Sequence, residues 1–132
     1  MERNIPSLEQ WLREAKAEAG ASGVGMYLIH NGTVRETARA RVRQGDQTAL
    51  PVRSMVFSYD EAAVQSAVEQ AKKLEGIGCV RVWLNKGRLQ VGEDLMYLLV
   101  GGDIRPHVMA AMDWLLHEIK TRCVTEKEEY DT

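Results

Sequence analysis

Apolar positions along the chain recur with two periods, and the switches between them divide it into elements. Leu8, Trp11, Leu12 and Ala15 stand at helical spacing, with Ser7 placed to cap them and Gln10 at the capping-box position three residues on. Gly20 and Gly23 close that helix. Residues 24–30 form a β-rich run ending at Asn31-Gly32, a dipeptide that favours tight turns, so 33–35 are expected to leave the turn as strand. Residues 36–50 show no clear period, and Gly45-Asp46 reads as a turn. Val52, Met55, Val56 and Phe57 then predict a buried strand. Asp60-Glu61 opens a second helix, acids being favourable in a first turn. Its stripe is Ala63, Val64, Ala67, Val68, Ala71 and Leu74, and Gly76 ends it.

Two strands follow, 79–84 and 89–91, joined through Asn85-Lys86-Gly87, which is hairpin chemistry. Gly92-Glu93-Asp94 marks another turn before the apolar strand 95–100. Gly101-Gly102 leads into the last helix, with Asp103 expected as N-cap and Pro106 in an early turn where no amide partner is lost. Val108, Met109, Ala111, Met112, Leu115, Leu116 and Ile119 make a stripe wide enough to predict a well buried helix. The order α-β-β-β-α-β-β-β-α, with short links, predicts an α+β fold with a mainly antiparallel sheet. No internal repeat or low-complexity segment interrupts it, and residues 1–132 are expected to form one domain.

Composition narrows the function classes. A hydrophobic content of 45% and a formal charge of -2 are ordinary for a globular chain and lack the basic excess of a non-specific nucleic-acid binder. No apolar run is long enough to span a bilayer, and the first residues, Met1 to Pro6, carry no apolar signal segment. Two distant cysteines, Cys79 and Cys123, form no ligand spacing, which predicts free thiols in a reducing compartment and a cytoplasmic protein. Neither a metal site nor a bound cofactor is expected. Charge is unevenly spread: Arg35, Arg39, Arg41, Arg43 and Arg53 face only Glu36 and Asp46 in their stretch, and a solvated face is the plainest reading.

Candidate chemistry is sparse when read from residues alone. His30, His107 and His117 show no metal-ligand pattern, and no nucleophile-elbow, P-loop or dinucleotide motif is present. Asp60-Glu61 and Glu93-Asp94 are explained by a helix start and a turn. Arg105 stands at the start of the last helix, where free amides and the dipole favour an anion and a guanidinium fork can grip a phosphate. Lys120 and Arg122 sit at its other end, where cations complement the dipole without any function. Lys127 follows Lys120 by seven residues, a spacing that places both on one face if helical geometry persists.

These positions carry a resemblance. Gly25-Met26-Tyr27-Leu28-Ile29-His30-Asn31-Gly32-Thr33-Val34-Arg35 is similar to the Gly-x-x-x-x-Phe-x-Gly-x-Val-Arg segment of molybdopterin synthase large (catalytic) subunits. Lys120-Thr121-Arg122 with Lys127 resembles that family's Lys-Thr-Arg and second lysine at the same separation. Gly87-x-Leu89-x-Val91-Gly92-Glu93 is similar to its Gly-x-Leu-x-x-Gly-Glu hairpin, and Phe57-Ser58-Tyr59-Asp60 stands in place of its Leu-Glu-Tyr-Glu. The matches are collinear over residues 23–129, and the chain is identified as a divergent, MoaE-like member.

The resemblance implies an α/β-hammerhead fold with a long buried C-terminal helix, and a sulfurtransferase of molybdenum cofactor biosynthesis. Its sulfur donor would be a small ubiquitin-like (MoaD-like) subunit with a thiocarboxylated C-terminus, and its acceptor cyclic pyranopterin monophosphate. It also implies a homodimer that forms a heterotetramer with the small subunit. Carried over by motif, Arg35 and Arg105 hold anionic substrate groups, Lys120 is the principal catalytic lysine and Lys127 its partner. Two ammonium groups set together would depress one pKa and help proton transfer or covalent chemistry. Arg122 is assigned a structural role, and Glu129 the orientation of Lys127.

The chain also departs from the pattern. Ile104-Arg105 stands where the family opens its last helix with His-Arg, Leu84-Asn85 replaces a second His-Arg, and His30 takes the aromatic position. Cys123-Val124-Thr125-Glu126 replaces Ala-Pro-aromatic-aromatic, and the segment from Arg35 to Phe57 is longer than usual. A non-catalytic, dimeric module that binds a ubiquitin-like partner or a pterin or phosphate ligand is therefore the second reading.

Overall fold

A computed structural model describes residues 4–131. Met1, Glu2 and Arg3, part of the segment read above for a signal sequence, lie outside the described residues. In chain order the elements are α1 (Leu8–Lys16), β1 (Met26–Thr33), α2 (Arg39–Gln44), β2 (Val52–Tyr59), α3 (Glu61–Lys72), β3 (Ile77–Leu84), β4 (Gly87–Gln90), β5 (Asp94–Gly102), α4 (Arg105–Glu118) and β6 (Val124–Tyr130). The strands form two three-stranded antiparallel sheets, ordered β1-β5-β3 and β4-β2-β6. This is the mixed, antiparallel α+β architecture that the hydrophobic pattern predicts.

β5 is the centre of the first sheet and is buried from Leu95 to Gly102. A strand covered on both faces needs no polar alternation, which explains its continuous apolar run. Helices α3 and α4 cover one face, where Met96, Leu98 and Val100 join Val64, Ala67, Ala71, Val108, Ala111 and Leu115 in the main core. Ala15 of α1 covers the other face against Cys79 and Leu99, flanked by Trp11 and Tyr27. Ser7 accepts the Gln10 N–H, so the expected cap of α1 forms, and Asp60, read as part of an acidic helix start, caps α3 by accepting the Ala63 N–H. Val108, Leu115 and Ile119 are fully buried, whereas Met109 of the predicted stripe is about half exposed at 51%.

Four local expectations are corrected. Asn31-Gly32 makes no turn: β1 runs through both residues, paired to Tyr97 and Met96 of β5, and Asn31 Nδ2 donates to Asp94 Oδ1 at 3.0 Å. A cross-strand partner 63 residues away outweighs the local turn preference. The unpatterned stretch contains α2, closed by Gly45 in the left-handed region at φ 67°. Asn85-Lys86-Gly87 does not close a hairpin but carries the chain from one sheet to the other, since β3 pairs with β5 and β4 with β2. Asn85 is buried there, donating Nδ2 to the Asp94 carbonyl at 2.9 Å.

Asp103 is not the N-cap of α4. That position falls to Ile104, and Asp103 Oδ1 is taken up by the Ile104 N–H and His107 Nδ1, each at 2.7 Å. Both cysteines are buried and free, and burial pushes their thiols above the ordinary range, which disfavours the thiolate. Among the described residues no helix is long and apolar enough to cross a membrane.

Candidate functional site

The site lies where the ends of several elements meet. After Glu118 the last helix widens into a single π turn, Ile119–Cys123, and the chain then leaves as β6. Buried Ile119 and Cys123 anchor that turn in the core, which turns Lys120 outward with a side chain 33% exposed. Helical geometry therefore stops short of Lys127. Alternation along β6 sends Glu126 and Glu128 to one face with Phe57 and Met55, and exposed Lys127 to the other with Val56.

A cavity of about 330 Å³ opens beside Lys120. Its charged lining is Arg35, Arg39, Arg43, Lys120, Glu126 and Glu128, with His30 at its edge and Met55, Leu95, Met96 and Leu116 forming an apolar floor. A neighbouring hollow of about 360 Å³ shares Arg39, Arg43, Leu116, Lys120 and Glu126, so the two are one continuous concavity. Four cations face Glu126 and Glu128 in the first hollow, and the second adds Asp113. The net charge of the lining is positive, and oriented cations on an apolar floor suit an anionic ligand.

The carboxylates organise the cations. Glu126, 8% exposed, is ion-paired with Arg39 and lies 3.9 Å from Lys120 Nζ. Glu128 accepts the Arg39 backbone N–H at 3.1 Å and the Tyr130 hydroxyl at 2.9 Å. These contacts fasten α2 over β6. Arg35 Nε donates to the Thr37 carbonyl at 2.9 Å, which fixes its stem while the guanidinium borders the cavity. Burial, and then the charge of Lys120, hold the His30 imidazole below the ordinary histidine range.

The sequence-predicted residues thus divide. Arg35 and Lys120 come together. Arg105, exposed at the first turn of α4, is about 22 Å from Lys120 along a helix rising 1.5 Å per residue, and does not line the cavity. Lys127 does not line it either. Glu129 engages Arg88 at 2.8 Å and Ser54 at 2.6 Å, and Arg122 pairs with Glu118 at 3.3 Å. Five residues of the lining were missed: Arg39, Arg43, Glu126, Glu128 and His30. Their signals are the four-residue spacing of Arg35, Arg39 and Arg43, the alternation of Glu126 with Glu128, and the inward register of His30 with Met26 and Leu28.

Solved structures with the same fold come from several bacteria. Molybdopterin synthase from Staphylococcus aureus superposes with a TM-score of 0.73 at 16% identity, covering 97% of this chain and 88% of that one. The molybdopterin biosynthesis MoaE protein from Burkholderia ambifaria gives 0.71 at 17% identity, covering 96% and 83%. A complex of subunits 1 and 2 of molybdopterin-converting factor from Helicobacter pylori gives 0.64 at 15% identity, covering 96% and 85%. At such identities the likeness establishes the fold, α/β-hammerhead type with its long C-terminal helix. No curated protein sequence matches the chain. The family model described as MoaE protein matches residues 5–122, nearly the whole chain, and on that match the chain belongs to the MoaE protein family.

Proposed function

We propose that the chain is the catalytic subunit of a molybdopterin synthase. It transfers sulfur from the thiocarboxylated C-terminus of a small ubiquitin-like subunit to cyclic pyranopterin monophosphate. The observation that carries this reading is the convergence of Arg35, Arg39, Arg43 and Lys120 on one cavity. A cyclic phosphate and a C-terminal thiocarboxylate are both anions, and fixed cations lower the energy of charge that shifts between them. Lys120 is the catalytic lysine of this reading, and Arg35 a substrate anchor. Arg105 and Lys127 keep their proposed binding and catalytic roles on other surfaces of the chain. If they act on the same ligand, they reach it from a second copy in a dimer.

The Helicobacter pylori structure is a complex of two subunits, which supports a small-subunit partner here. In this reading residues 1–132 act as one cytoplasmic domain, paired as a homodimer and completed as a heterotetramer. The second reading, a non-catalytic module that binds a ubiquitin-like tail or a pterin, is favoured by Ile104 in place of the family histidine and by the Glu126 carboxylate beside Lys120. One assay decides between them: incubation with thiocarboxylated small subunit and cyclic precursor, with molybdopterin as readout. Product that disappears in Lys120→Ala supports the synthase. Bound precursor without product sinks it and leaves the module.

A further inference from the structure

One residue of the cavity has chemistry that neither the fold nor the family pattern assigns. The inward positions of β1 are Met26, Leu28, His30 and Gly32; the first two pack against the core, and His30 emerges at the cavity. Gly32 is the next inward position beside the ring. A Cβ there would lie 3.6 Å from His30 Nε2 and 3.2 Å from Met96 Cγ. Among the described residues neither ring nitrogen of His30 has a hydrogen-bond partner.

The charged groups that line the cavity with the ring come from four places. They are Arg35 after β1, Arg39 and Arg43 on α2, Lys120 on the π turn, and Glu126 and Glu128 on β6. The other walls, β2, β5 and α4, present Met55, Leu95, Met96 and Leu116 here, and α4 adds Asp113 and His117 in the adjoining hollow. Both carboxylates already have partners, Glu126 in Arg39 and Lys120 and Glu128 in the Arg39 N–H and Tyr130.

We propose that His30 is the titrating ligand-binding residue of the cavity, taking up one proton as an oxyanion enters and hydrogen-bonding that oxyanion as imidazolium. The inference rests on the anion-binding part of the functional reading above. Partial burial, and then the charge of Lys120, disfavour the charged ring, and the lining carries a cation surplus. A doubly charged oxyanion offsets that surplus, so the proton that was unfavourable becomes favourable. The proton comes from solvent and goes to a ring nitrogen, no covalent bond changes, and release of the ligand returns it. A phenyl ring, the aromatic type of the similar motif, would fill the same space without this linkage.

Sulfate is the probe, because it stays doubly charged across the histidine range. Calorimetric titration of the full chain in two buffers of different ionisation heat counts protons taken up per sulfate. The expected result is net uptake approaching one proton, with affinity falling by about tenfold per pH unit above the ring's own pKa. His30→Phe and His30→Gln should each abolish the uptake and flatten the pH dependence, while His107→Gln, at a residue that lines neither hollow, retains both. Uptake that persists in both His30 variants overturns the proposal. So does a pH-independent affinity in the unmodified chain; if Lys120→Ala still weakens it, the anion cavity stands and only the His30 role falls. Absence of sulfate binding at every pH overturns the His30 role, whereas the sulfur-transfer reading is judged by the molybdopterin assay.

Discussion

Lys120 Nζ lies 3.9 Å from one oxygen of Glu126, and the other oxygen of that carboxylate is paired with Arg39. One carboxylate thus joins the π turn to α2 across the cavity. Replacing it with an amide leaves two cations facing each other, and the cost is moderated by their exposure, 40% for Arg39 and 33% for Lys120. Glu126→Gln should lower stability by about 1–2 kcal/mol in urea denaturation. It should also tighten sulfate binding by roughly fivefold, the equivalent of about 1 kcal/mol of removed repulsion. Weaker sulfate binding in this variant would mean that Glu126 organises the cations more than it competes for them.

Glu129 gives a prediction on the acid side. Its hydrogen bonds from Arg88 and then from Ser54 pull its pKa down to about 2, from an ordinary value of 4.5. A depressed folded pKa stabilises above the unfolded value, and the contribution is lost as pH falls from about 4.5 toward about 2. Thermal denaturation between pH 2 and 6 should therefore show a shallower acid limb in Glu129→Gln than in the unmodified chain. Equal limbs would show that Arg88 and Ser54 do not favour the ionised form.

What was legible in the sequence follows from how far each signal reaches. The apolar stripes of α3 and α4 and the unbroken run of β5 are signals of burial, and burial decided those elements. Asn31-Gly32 and Asn85-Lys86-Gly87 are turn preferences confined to a few residues, and each was overridden by a partner on β5. Arg35 and Lys120 were found through motif resemblance. Arg39 and Arg43 shared one face at four-residue spacing, but without an apolar stripe the segment gave no sign of being a helix. The separation of Lys127 from Lys120 was not legible at all, because it depends on one π turn that converts helix into strand.

His107 offers the opposite pH sign. Its hydrogen bond with Asp103, opposed by partial burial and aided by the nearby charges of Asp103 and Glu75, raises its pKa above 6.5. The same hydrogen bond lowers the Asp103 pKa below 3.8. The histidine contribution is fully present below pH 6.5 and is lost as pH rises through the raised value, and the aspartate contribution is lost as pH falls below 3.8. The pair should therefore stabilise the start of α4 between those limits. In His107→Gln the difference in melting temperature from the unmodified chain should be larger at pH 5.5 than at pH 8.5. A constant difference would indicate packing and not titration.

Gly25 opens the glycine segment that ends at Arg35, and its requirement is spatial. Its N–H donates to the Gly102 carbonyl at 2.8 Å, which brings the entry of β1 against the end of β5. A Cβ at Gly25 would stand 2.4 Å from the Asp103 carbonyl oxygen, closer than any real contact. That oxygen is backbone, so it cannot rotate aside, and Asp103 itself is held by Ile104 and His107. Gly25→Ala should cost about 1–3 kcal/mol, the range for forcing an extra carbon into a packed site. Gly23 is the control. A Cβ there meets nothing within 4 Å and its φ is outside the left-handed region, so Gly23→Ala should be neutral or stabilising by up to about 1 kcal/mol. Melting temperatures of the two variants separate the cases. If they matched, the approach of β1 to Asp103 would be loose enough to yield, and the glycine of this segment would need another explanation.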